Sequence, residues 1–306
     1  MAGVAPRLTR YAWLSIATSL STLALKAAAW ALTSSVGLLS DALESLVNVG
    51  AAVMLLSMLR IATRPADEGH AYGHSKAEYF ASGFEGILVV VAAGGIAYAA
   101  TSRLLDPRPL EHASLGLGLT VLASGLNFVV ARVLLRAGRK YRSIALEADA
   151  QHLLTDVWTS AGVILGVGLV VLTGWLVLDP LIAFAVAVNI LFIGWRLLKE
   201  SILGLMDAAW PKEEQALLER VLADYRLRGI QFHAVRTRRA GARRFASFHV
   251  LVPGHWTVQQ GHDLLEEIER RIAERVGSLS VDTHLEPVED PASYRDQQLE
   301  RDRPGG

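Results

Sequence analysis

VGLLSDALESLVNVGAAVMLLSMLRI, Val36–Ile61, is long and apolar enough to cross a bilayer, yet it carries Asp41, Glu44 and Asn48 within it. A spanning helix needs about 20 mostly apolar residues. Ionisable groups inside one are expensive and mark functional positions. Glu44 and Asn48 stand four apart, so a helix places them on one face. Leu146–Thr173 repeats the arrangement with His152 and Asp156. Two such faces opposed would bring two carboxylates, an amide and an imidazole around one point, with a tetrahedral option for a divalent cation. The plainer reading of either pair is a hydrogen bond between helices. Asp41 and Asp149 precede the pairs by one turn and are candidates for a surrounding polar shell. Glu85, in a third apolar stretch, is a candidate for lining a cavity or pairing helices.

Working outward, four more stretches have the length to span: Tyr11–Leu32, Ala77–Leu105, Ala113–Leu135 and Leu178–Leu203. Turn-forming residues separate them, among them Asp106-Pro107-Arg108-Pro109 and Asp179-Pro180. Basic residues gather in alternate loops: Arg7 and Arg10, then Arg60, Arg64 and Lys76, then Arg136, Arg139, Lys140 and Arg142. The positive-inside rule then predicts six spans with both termini cytoplasmic. The chain is 52% hydrophobic with a mean hydropathy of +0.32, but charge is concentrated in its last third. The expected division is residues 1–207 in the membrane, 208–289 as a cytoplasmic domain, and 290–306 as a polar, disordered tail. In the second part Pro211–Arg228 and Thr257–Val276 read as amphipathic helices. Phe232–Arg238, Arg244–Val252 and Leu279–Pro287 read as strands. The order α-β-β-α-β predicts a small ferredoxin-like α+β sandwich.

Formal net charge is zero, which argues against a nucleic-acid partner, and cysteine is absent. Any metal site must therefore use imidazole, carboxylate, amide or water, a donor set suited to Zn²⁺, Fe²⁺, Mn²⁺, Co²⁺ or Ni²⁺ rather than Cu(I). Two further clusters offer such donors. Asp67, His70 and His74 lie in a cytoplasmic loop that can close on one ion if it turns at its glycines. A solvated polar loop is the alternative. In the final strand Ser280, Asp282, His284 and Glu286 share one face by alternation, so His284 and Glu286 could hold one ion. His249 lies mid-strand, His233 starts the strand before it, and His262 opens the second helix. Surface histidines are the plainer reading there.

Four passages together resemble the cation diffusion facilitator family, of the bacterial zinc/iron efflux type, over nearly the whole chain. They are SDALESLVN (Ser40–Asn48), PADEGHAYGHSKAE (Pro65–Glu78), EADAQHLLTD (Glu147–Asp156) and the C-terminal run FHAVRTRRAG, FASFHVLV and VDTHLEP. The resemblance implies a homodimer in the bacterial inner membrane that exchanges a divalent cation for protons and moves the cation outward. It implies a transport site of Glu44, Asn48, His152 and Asp156, and a loop site of Asp67, His70 and His74. It also implies a C-terminal site of His233, His249, His262, His284 and Glu286, and a charge interlock between Lys76 and Asp207 at the dimer interface. Three positions depart from the family pattern. Asn48 and Glu286 stand where aspartate is expected, and Glu44 where aspartate or histidine is. Zn²⁺ is the first choice of substrate and regulatory ligand, with Cd²⁺ and the metals above open. An intramembrane metalloenzyme and a metal-sensing dimer without transport are the competing classes. Neither an HExxH nor a nucleophile motif is present to support the enzyme.

Overall fold

The computed structural model describes residues 5–33, 36–105, 114–175, 177–277, 279–295 and 297. Six long helices come first: α1 (Ala5–Thr33), α2 (Val36–Ala62), α3 (Ala77–Leu105), α4 (Ser114–Tyr141), α5 (Ile144–Thr173) and α6 (Leu178–Leu205). Each has 27 to 30 residues. At 1.5 Å per residue they run about 40–45 Å, more than the roughly 30 Å hydrocarbon core of a bilayer. Among the described residues three stretches pass as spans on length and apolarity alone, Ala77–Ser102, Val121–Tyr141 and Pro180–Leu205. On α1 Ser15, Ser19, Thr22 and Lys26 are all buried, at spacings of three and four that put them along one stripe. Lys26 is only 6% exposed.

The membrane unit holds two apolar clusters. One joins α1, α2, α4 and α5 through Leu55, Leu59, Leu134, Leu146 and Leu153. The other joins α3, α5 and α6 through Val89, Ala148, Ile190 and Leu197. Helices α3 and α6 approach so closely that a Cβ at Gly194 would sit 2.8 Å from Val90 Cγ2 and 3.1 Å from its backbone nitrogen. Small residues let helices meet in this way where lipid gives no hydrophobic drive to association. The α3–α6 contact is also pinned by Ser201, whose hydroxyl donates to the Tyr79 carbonyl at 2.6 Å.

The chain divides into two compact units, residues 1–203 and 204–306. The second unit contains α7 (Lys212–Arg226), β1 (Gln231–Ala240), β2 (Arg243–Val252), α8 (Val258–Val276) and β3 (Leu279–Pro287). This is the predicted α-β-β-α-β order. The sheet order is β1-β2-β3, with β1 antiparallel and β3 parallel to β2. The α8 crossover is what permits the parallel pair. Thr257 starts α8 with a reciprocal capping box to Gln260. One face of the sheet buries Ala246, Phe248, Val250 and Val252 against Leu218, Leu222 and Tyr225 of α7 and Ile268 and Ile272 of α8. On β2 the opposite face carries Ser247 and His249 between the buried Phe245 and Leu251.

Of the stretch 290–306, expected to be disordered, Pro291–Tyr294 form a 3₁₀ turn whose start is capped by Asp290. Tyr294 donates its hydroxyl to the Val288 carbonyl at 3.0 Å, and Ser293 donates to the Pro287 carbonyl at 2.8 Å. Residues 298–306 lie outside the described set.

Candidate metal centres

Helical spacing puts His152 and Asp156 on one face of α5, and α2 presents Asn48 to that face. The Asn48 Nδ2 donates to Asp156 Oδ2 at 2.7 Å, and His152 Nε2 lies 2.8 Å from Asn48 Oδ1. Since the amide oxygen can only accept, Nε2 is the donor in that bond. All three residues are buried, at 5–7% exposure. The side chains of Asp41 and Glu44 lie outside the described residues.

Three more buried polar residues of the membrane unit are Asn127, Glu85 and Asp149. Asn127 of α4 donates through Nδ2 to Asp156 Oδ2 at 3.3 Å. Sequence reasoning missed it, because a single amide in an apolar helix has no spacing partner to draw notice. Glu85 of α3 places Oε2 3.2 Å from His152 Nδ1. Glu85 is 1% exposed, and the contact is not aligned as a hydrogen bond. Asp149 is buried too, at 2% exposure, with Oδ2 lacking a hydrogen-bond partner among the described residues.

The loop before α3 closes as its glycines allow, with an isolated β-bridge pairing Asp67 and His70 and Gly73 at φ 80°. Donor atoms of Asp67, His70 and His74 all lie within 4.8 Å of one another. Asp67 Oδ1 is 3.2 Å from His70 Nδ1, and Oδ2 is 3.4 Å from His74 Nε2. His74 Nδ1 meets the Pro65 carbonyl at 3.2 Å. Held that way, its Nε2 is free to face an ion, the usual outer-shell arrangement of a ligating histidine. Desolvation pushes the Asp67 carboxyl up. The hydrogen bonds from the side chain and backbone of His70, with the electrostatic pull of His74 and His70, outweigh it and hold Asp67 below its ordinary value.

In the second unit the strand register builds the site. His233 pairs with His249 across β1–β2, and His249 pairs with His284 across β2–β3, so three imidazoles stand in a row over three strands. Glu286, two residues beyond His284, is on the same face. His233 Nε2 is 2.8 Å from Glu286 Oε2 and 3.1 Å from His249 Nδ1, and His249 Nδ1 is 3.3 Å from the same carboxylate oxygen. His233, His249 and Glu286 thus form a compact three-donor cluster. His284 is at its edge, with Nε2 3.9 Å from Glu286 Oε1. His262 is exposed on the first turn of α8 and is not among the clustered donors. The 3₁₀ turn adds a residue that sequence reasoning did not single out: the Tyr294 ring stands edge-on to His233 at 6.1 Å.

His233 also sits at a β-bulge. The register shifts between His233 and Arg236, and Ala234 has a left-handed φ of 50°. A bulge re-aims the neighbouring side chain, and a residue with a Cβ in that region costs about 1–2 kcal/mol. Ala234→Gly is therefore expected to stabilise β1 by about 0.5–1 kcal/mol after the extra entropy of glycine is discounted. Slower hydrogen exchange of the β1 amides in the full-length protein is the measurement. Faster exchange would refute the strain.

Lys76 and Asp207 fall in the two different units. Asp207 has φ 57°, and its carboxylate is 3.4 Å from Arg238 Nη1.

The cation efflux transmembrane domain model matches residues 12–206, and the cytoplasmic domain model of cation efflux proteins matches residues 210–288. An uncharacterized transporter of Synechocystis sp., sll1263, is 54% identical over 290 residues, covering 94% of each chain. The cation-efflux pump FieF of Klebsiella pneumoniae is 30% identical over 266 residues, covering 87% of this chain and 88% of its own. The solved structure of CzrB in its Zn form is 37% identical over 26% of this chain and 91% of its own, with a TM-score of 0.23.

Proposed function

Since the chain belongs to the cation efflux family, the cation diffusion facilitators, we propose that this membrane transporter of metal cations exports Zn²⁺ from the cytoplasm in exchange for protons. It works as a homodimer in the bacterial inner membrane with both termini cytoplasmic. The observation that carries the reading is the buried Asn48–His152–Asp156 contact, which joins two membrane helices through groups of opposite hydrogen-bonding character. With Glu44 the site offers two carboxylates, one imidazole and one amide, and two negative charges balance a divalent ion. Mixed nitrogen and oxygen donors without sulfur suit Zn²⁺, with Fe²⁺, Mn²⁺, Co²⁺, Ni²⁺ and Cd²⁺ as competitors.

Metal ligands must shed protons to bind, so metal and proton compete for one site. Alternating access would present the site first to the cytoplasm and then to the outside, where protons displace the ion. The Asp67/His70/His74 loop and the His233/His249/Glu286 cluster are regulatory: they fill at high cytoplasmic metal, and the C-terminal cluster tightens the dimer. A coupling of about 1–3 kcal/mol is expected. Lys76 and Asp207 contribute a charge pair at the dimer interface.

The test is reconstitution of the purified protein into liposomes with an acidic interior and a trapped zinc dye. Zn²⁺ entry is expected, with alkalinisation of the lumen, and collapsing the proton gradient should slow it at least tenfold. Absence of any metal flux would overturn transport. Flux indifferent to the gradient would overturn the antiport.

A further inference from the structure

Glu85 is the least explained charge in the membrane unit. It is 1% exposed, and neither carboxylate oxygen has a hydrogen-bond partner among the described residues. Leaving such a group buried and unmatched is costly, so the position calls for a use. The nearest candidate for one is the ring of His152, whose Nδ1 is 3.2 Å from Glu85 Oε2. The two are held on separate helices, α3 and α5. Helix α3 is fixed against α6 by the Gly194 approach and the Ser201–Tyr79 hydrogen bond.

The geometry points to Glu85 as the positioning residue of His152: its carboxylate takes the Nδ1–H of the imidazole, so that Nε2 is the nitrogen offered to the ion. The inference rests on the proposed transport site and adds a third helix to it. In the structure Nε2 is spent on Asn48 Oδ1. When an ion takes Nε2, the one remaining ring proton is at Nδ1, in a site away from water, and it needs an acceptor. Glu85 is within reach of that nitrogen. A ligating histidine whose other nitrogen donates to a carboxylate is fixed in tautomer and rotation and is made more basic, and loss of such a partner costs 10–100-fold in metal affinity. The carboxylate also brings a negative charge toward a site where Asn48 supplies none.

The experiment uses the full-length dimer in a background carrying Asp67→Ala and His233→Ala, so that the other two clusters do not obscure the readout. Zn²⁺ affinity is measured by titration, and KM and maximal rate are measured in liposomes. Glu85→Gln keeps the size of the side chain and removes the charge. It is expected to weaken Zn²⁺ binding and raise KM by 10–100-fold, with the maximal rate changed by less than threefold. The decisive comparison is the same substitution on His152→Asp, which keeps a ligand oxygen but has no imidazole to position. There Glu85→Gln should change affinity by less than twofold or improve it, because two carboxylates no longer face each other. A purely structural glutamate would cost the same factor in both backgrounds, and that result overturns the inference. So does a Glu85→Gln protein within twofold of its parent. If the parent itself binds zinc but moves none, the transport reading fails and the affinity comparison still decides the role of Glu85.

Discussion

Asp156→Ala is expected to reduce metal-driven transport by at least 100-fold. The carboxylate is 7% exposed and accepts hydrogen bonds from both Asn48 and Asn127. Removing it strands two buried amide donors and takes away one of two charges assigned to neutralise the ion. Hydrogen bonds to a charged group contribute about 1.5–3 kcal/mol each, and 1.4 kcal/mol is a factor of ten in an equilibrium constant. Those bonds bear on stability, and the 100-fold, about 2.8 kcal/mol, is assigned to the missing ligand and its charge. Asp156→Asn is the informative companion. It preserves shape and one acceptor, so a loss of similar size assigns the effect to charge. Zinc uptake by liposomes, with gel filtration to verify the dimer, is the measurement. Wild-type flux from the alanine variant would remove Asp156 from the site.

The second large effect concerns the cytoplasmic unit. Three donors that meet within 4.8 Å come from β1, β2 and β3, so an ion bound there ties together all strands of the sheet. A ligand that binds only the folded form stabilises it by about 2.7 kcal/mol at one hundred times its dissociation constant. For a unit of about 100 residues, each kcal/mol raises the midpoint by roughly 4–8 °C. Saturating zinc should therefore raise the melting of this unit by roughly 10–20 °C, read by calorimetry on the full-length protein in detergent. The pair His233→Ala and Glu286→Ala should abolish the rise. His262→Ala should leave it intact, because that side chain stands outside the cluster on α8. An undiminished rise in the double variant, or its loss with His262→Ala, would show that the site is elsewhere.

The comparison of sequence and structure divides along a physical line. Periodicity and turn chemistry report on one chain segment at a time. They located all six membrane helices and the α-β-β-α-β order, in most cases within a few residues of the ends, because a run such as Leu178–Leu203 or an alternation such as Leu279–Pro287 has a single low-energy reading. They also exposed the i,i+4 pair on α5 and the amide on α2, whose meeting the structure shows. What they do not encode is which third and fourth helix stands beside a pair. Asn127 was passed over and Glu85 stayed ambiguous for that reason: each is one polar residue, and its meaning comes from packing between helices distant in sequence. His262 is a different case. The family resemblance suggested it as a ligand, and it stands exposed on α8, apart from His233, His249 and Glu286. The tail turn that brings Tyr294 to His233 has no apolar periodicity to announce it.

Asn48 is the residue with the widest consequence. Its amide donates to Asp156 and accepts from His152, so the three side chains form a closed circuit rather than a pair of bare charges. Under the proposed exchange, half of every round trip is made without the cargo. On the return leg a carboxylate in this place would repel Asp156, whereas the amide hydrogen-bonds it. Under the proposed exchange such a carrier would trade tightness of grip for ease of letting go, with turnover set by how quickly that circuit opens and recloses.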